Sequence, residues 1–182
     1  MKRSVFLGLG WLTLVGFSAL GFLVLYFVSD LNPKELFQHG LEPALQVALG
    51  LAYGSIAAGI GWLILRHPKL RQTRLFYSQM IQGMRLRFFD IIFISICAGV
   101  GEEILFRGAM QFYLNPWLTA LIFVAIHGYL NPKDLKITAY GMYMTLVIGI
   151  MGVLYEEWGM LFAMSAHFAI DVVLLQRSLR DF

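Results

Sequence analysis

The sequence predicts an all-α, polytopic transmembrane helix bundle of about six spans, with both termini in the cytoplasm. Three observations predict it. Of 182 residues, 59% are hydrophobic and only 14% charged, against about 25% charged in an ordinary soluble domain, and the mean hydropathy is +0.71. The apolar residues collect in runs close to the ~20 that cross a hydrocarbon core. The basic residues fall between those runs, on alternate loops.

The first run, residues 5–28, carries no charge and follows Met1-Lys2-Arg3. It is longer than a signal-peptide core and no small-x-small site closes it, so it reads as an uncleaved anchor. The second, residues 44–65, has Pro43 placed for a first helical turn. Residues 66–87 are the one sizeable polar stretch. They read as a basic cytoplasmic loop, although Leu70, Leu75, Phe76, Tyr77 and Met80 offer the apolar side of an interfacial helix. The third run, 88–114, is interrupted by Glu102, Glu103 and Arg107. The fourth, 116–129, is short and holds His127, the fifth is 138–155, and the sixth, 158–175, holds His167 and Asp171. Glu156 and Glu157 read as a solvated loop between the last two, and His39 and His67 as loop residues without a role.

With the N-terminus inside, the cytoplasmic pieces carry Lys2 and Arg3, then Arg66, Lys69, Arg71, Arg74, Arg85 and Arg87, then Lys133 and Lys136, then Arg177 and Arg180. The outer pieces carry Lys34 alone. The net charge of +3 therefore speaks for a lipid bilayer as partner and not for nucleic acid. The single cysteine, Cys97, lies in an apolar run, reads as a small buried hydrophobe, and excludes a disulfide framework.

Ionisable groups inside a membrane cost about 2.5–3.5 kcal/mol each even on insertion scales. Here Glu102, Glu103, Arg107, His127, His167 and Asp171 fall on three of the six runs. Glu103 and Arg107, four apart, share a helix face and can pair, and so can His167 and Asp171. Glu102 points about 100° away from Glu103, which suits the two carboxylates to different roles. Measured from Asn115, Pro116 and Glu157 as outer ends, Glu102, His127 and His167 lie about 15–20 Å deep at 1.5 Å per residue. A carboxylate and two imidazoles at one depth read as a site. Ala98, Gly99, Gly101, Gly108, Gly128, Ala163, Ala166 and Ala169 would let the surrounding helices approach closely.

The order Glu102-Glu103-x-x-x-Arg107, Phe123-x-x-x-His127, His167-x-x-x-Asp171 resembles the CPBP family of intramembrane proteases, also called the Abi or type II CAAX prenyl endopeptidase family. The resemblance divides the chain into residues 1–87 (two helices and the basic loop), 88–177 (a CPBP-like catalytic four-helix core) and the tail 178–182. It implies an endopeptidase acting on a peptide or membrane-protein substrate, and the short chain and sparse loops suit a bacterial inner membrane. Eukaryotic members have asparagine at the place of Asp171, and an ionised aspartate can only accept hydrogen bonds.

Glu102 would then be the general base and His127 would share its water. His167 would stabilise the oxyanion, and Asp171 would set the tautomer or charge of His167. Glu103 and Arg107 would brace the third helix, with Arg107 also available to a substrate carboxylate. Glu102, His127 and His167 would also make a ligand set for one divalent metal, zinc, with a position left for water. Two other classes use the same residues: a proton- or ion-coupled transporter, and a non-catalytic, bacteriocin-immunity type of family member. Oligomeric state is open at this level.

Overall fold

A computed structural model describes residues 2–28 and 33–181. It is a helical bundle, with no strand among the described residues. Helix α1 (Arg3–Val28) passes through a π-helical turn at Thr13–Phe17. Helices α2 (Pro43–Leu65) and α3 (Arg71–Gly83) follow. Then α4 (Phe88–Glu103) continues through a π-helical segment, Ile104–Met110, into α5 (Gln111–Ile126). Helices α6 (Leu135–Trp158) and α7 (Met160–Leu179) complete the chain. Among the described residues, α1, α2, α6 and α7 are long and apolar enough to cross a membrane.

The ends follow the expected punctuation. Glu42 caps α2 by accepting from the Leu45 N–H at 3.1 Å, with Pro43 in the first turn. Asp134 caps α6 through the N–H groups of Lys136 and Ile137. The third and fourth apolar runs form one bent rod. Asn115 breaks it at φ 66°, and its side chain recaps the helix by accepting from the N–H groups of Trp117 and Leu118. Glu156 and Glu157 lie in the last turn of α6, not in a loop, and Glu156 accepts from Gln111 Nε2 at 3.0 Å. The two helices that follow one another there are separated by Gly159 alone, at φ 101°.

The stretch read as a basic loop is largely helical. Tyr77, Ile81 and Met84 recur at helical spacing, and Ile81 and Met84 bury against Leu86, Ile91 and Phe6. The C-terminal end of the chain holds α3 in place. Asp181 pairs with Arg74 at 2.9 Å and accepts from Ser78 Oγ at 3.1 Å, and Gln82 Nε2 donates to the Ser178 carbonyl at 3.0 Å.

Close approach of backbones sets the bundle's inner geometry. A Cβ on Gly50 would run into the Phe162 carbonyl, and one on Gly54 into the Ala166 carbonyl, so α2 lies directly on α7. On α4, a Cβ at Gly101 would meet the Thr13 carbonyl of α1, and one at Gly99 would come within 2.8 Å of the Met164 carbonyl of α7. Gly128 does no such packing. It sits at φ 78° with open space around it, and serves the turn after α5.

Gln46 ties three pieces together. Its Nε2 donates to the Leu41 carbonyl at 2.7 Å, and its Oε1 accepts from the Leu161 N–H at 3.0 Å, an otherwise orphaned donor in the first turn of α7. Gln46 is buried, so Gln46→Leu leaves both backbone groups unsatisfied. It is expected to destabilise the protein by about 1–3 kcal/mol, read as a lower unfolding midpoint in detergent.

Candidate active site

The bend in the rod and the α4–α7 contact bring the six intramembrane ionisable residues to one place. Glu102 and Glu103 separate as their spacing requires. The Glu102 carboxylate faces His127, with Oε2 3.7 Å from Nε2. The Glu103 carboxylate faces inward, 3.1 Å from Arg107 Nε on one oxygen and 2.7 Å from His167 Nδ1 on the other.

Each histidine has its ring fixed at Nδ1. His127 donates Nδ1–H to the Phe123 carbonyl at 2.7 Å, so in the neutral ring Nε2 is an acceptor turned to Glu102. His167 donates Nδ1–H to the Glu103 carboxylate. Phe123 separates the two rings: it stacks on His127 at 4.4 Å and meets His167 edge-on at 5.6 Å. This gives Phe123, four residues before His127, a spacer's role as well as an acceptor's. On its other face His127 lies parallel to Tyr129 at 6.4 Å.

Glu102, His127, His167 and Asp171 line a cavity of about 440 Å³. Its walls are otherwise largely apolar and aromatic, with Trp62, Tyr77, Tyr129 and Tyr140 contributing. These aromatic residues have no ionisable signature within an apolar sequence, and only the fold assigns them to the site. The cavity continues along α7 past Leu174 to Ser178 and Arg74, beside helix α3. Cys97 is fully buried away from it.

Two expected roles change. Arg107 is 1% exposed and does not line the cavity, so it faces Glu103 and not a substrate carboxylate. Asp171 does not fix the His167 tautomer. Its Oδ2 lies 3.8 Å from His167 Nε2, beyond hydrogen-bonding distance, while Glu103 holds Nδ1. Glu103 was the less obvious partner because it lies 64 positions away in sequence, whereas Asp171 is one turn away on the same helix.

Glu102, His127 and His167, the residues expected as a zinc set, all line this cavity, and the Glu103 bond at Nδ1 leaves His167 Nε2 as its one nitrogen open to the cavity. Among the described residues, no three His, Cys, Asp or Glu side chains converge as a metal set.

Comparison with known proteins points the same way as the motif order. Residues 84–173 match the family model for type II CAAX prenyl endopeptidase Rce1-like proteins. Uncharacterized protein YpbD of Bacillus subtilis (strain 168) is 40% identical over 85 residues, 46% of this chain and 42% of that protein. Protein NRT1/PTR FAMILY 6.3 of Arabidopsis thaliana is 30% identical over 84 residues, 45% of this chain and 14% of that protein. The aligned part thus spans less than half the length of either relative, and no solved structure matches. This chain is an integral membrane protein, and residues 84–173 are similar to the Rce1-like family of type II CAAX prenyl endopeptidases.

Proposed function

We propose that the protein is an intramembrane endopeptidase that hydrolyses a peptide bond of a peptide or membrane-protein substrate with a water activated by Glu102 and His127. One observation carries the reading. Glu102 Oε2 is a buried oxygen without a hydrogen-bond partner, and it faces His127 Nε2 across 3.7 Å inside the cavity. That separation is too long for a direct bond and suits two acceptors sharing one water.

The water donates its protons to Glu102 and His127. As its oxygen attacks the scissile carbonyl carbon, the Glu102 carboxylate takes a proton, which later passes to the leaving amine. The carbonyl oxygen gains negative charge and is stabilised by His167 Nε2–H. Because Nδ1–H is bonded to Glu103, Nε2 can donate only in the doubly protonated ring. Asp171 lies 3.8 Å from Nε2 and balances that charge. The apolar walls admit the substrate and limit bulk water around the reacting groups. Each of these steps is assigned to side chains of this chain, without a metal. A bacterial relative at 40% identity supports a bacterial inner membrane as the location.

The test is Glu102→Gln in the native membrane, with His127→Ala alongside, at expression equal to wild type. Glutamine keeps the size but cannot serve as a base. A defined set of membrane peptides is expected to disappear in both variants, which would also name the substrates. If both variants fold and no peptide changes, the endopeptidase reading fails. A carrier would instead show proton-coupled uptake in liposomes.

A further inference from the structure

Glu103 and Arg107 touch no reacting atom in this scheme, yet both side chains are 0% exposed. An ion pair that only braced a helix would need no partner beyond itself. Glu103 has one. Its Oε1 accepts from His167 Nδ1 at 2.7 Å while its Oε2 lies 3.1 Å from Arg107 Nε.

We infer that Glu103 is the positioning residue for His167, fixing its ring so that Nε2 addresses the reacting carbonyl, and that Arg107 holds Glu103 in turn. This rests on the endopeptidase reading. Three features support it. The imidazole can rotate about its bond to Cβ, and a carboxylate on a different helix fixes that rotation. Asp171, the neighbour on the same helix, sits on the Nε2 side at 3.8 Å and cannot supply this constraint. The approach of α4 to α7 that lets Glu103 reach the ring depends on Gly99, where a Cβ would come within 2.8 Å of the Met164 carbonyl. The adjacent carboxylates thus serve two histidines: Glu102 works with His127, and Glu103 orients His167.

The experiment uses full-length protein in nanodiscs with 15N-labelled histidine, the His167 signals being identified by their loss in His167→Gln. In the wild type, His167 Nδ1 is expected to be protonated and hydrogen-bonded. Glu103→Gln is expected to shift that nitrogen and lower kcat by roughly 10–100-fold with little change in KM. In the His167→Gln background it should add no further loss. An unprotonated Nδ1 in the wild type, an unmoved His167 signal in Glu103→Gln, or additive losses would each overturn the inference. The wild-type spectrum decides the matter even if Glu103→Gln does not fold. A wild type that cleaves nothing would remove the endopeptidase reading, while the nitrogen spectra would still report whether Glu103 sets the ring.

Discussion

Arg107→Met is expected to destabilise the protein by about 3–5 kcal/mol, the range seen when one partner of a buried ion pair is removed. The guanidinium and the Glu103 carboxylate are both 0% exposed. Without Arg107, Glu103 keeps only His167 Nδ1 as a partner, and its charge is left uncompensated in a low-dielectric interior. The pair itself is far from ideal. Arg107 Nη1 and Nη2 find no hydrogen-bond partner among the described residues. A joint Glu103→Leu/Arg107→Met replacement is therefore expected to recover much of the stability that Arg107→Met loses, while leaving the site inactive. Thermal unfolding of the three proteins in one detergent would check this. If the double variant is less stable than Arg107→Met by the full cost of a second independent lesion, the two residues do not act as a pair.

Gly54→Val is expected to be the most damaging substitution on α2. Its Cβ would meet the Ala166 carbonyl and come within 2.9 Å of Ala169 Cβ, both on α7. Neither backbone can yield without parting the two helices, so the cost lies at or above the upper end of the about 1–3 kcal/mol typical of overpacking. Separation of α2 from α7 would also displace His167 and Asp171, so activity should fall with stability. Gly59 provides the control. It lies on the same helix, where an added Cβ would have nothing within 4 Å, and Gly59→Ala is expected to be neutral or to stabilise by about 0.5–1 kcal/mol through helix propensity. Equal losses in both variants would show that α2 senses composition and not the contact with α7.

Much of this was legible in the sequence because a membrane interior makes polar residues conspicuous. Glu102, His127, His167 and Asp171 stand out against apolar runs, and the cavity collects them. The helix boundaries at Pro43 and at Asn115-Pro116 were legible from local chemistry, since a proline or a side-chain cap acts on its own turn. Partnerships between distant segments were not. The i, i+4 rule offered His167 the carboxylate of its own helix, and the fold supplied one from α4. Helix α3 was obscured because its basic residues look like a topology signal, while its Tyr77, Ile81 and Met84 stripe needs the C-terminal end of α7 to bury against. Gly50 and Gly54, one helical turn apart, were not singled out in the sequence, because nothing local identifies α7 as their partner.

The π-helical segment Ile104–Met110 has a consequence for how this protein can vary. Such a segment accommodates one residue more than an α-helix would over the same rise. Removing one of its seven residues would let the same span close as an ordinary α-helix, with the parts before and after it left near their present rotation. Glu102 and Glu103 lie on one side of that joint, and Gln111, Phe123 and His127 on the other. A single-codon deletion in the regular helix on either side has no such joint to absorb it, and would turn one part by about 100° against the other and swing both carboxylates off their histidines. Over evolutionary time the π-helical segment is therefore the part of this rod that can change length by one residue, while the α-helix on either side can exchange residues but not lose them.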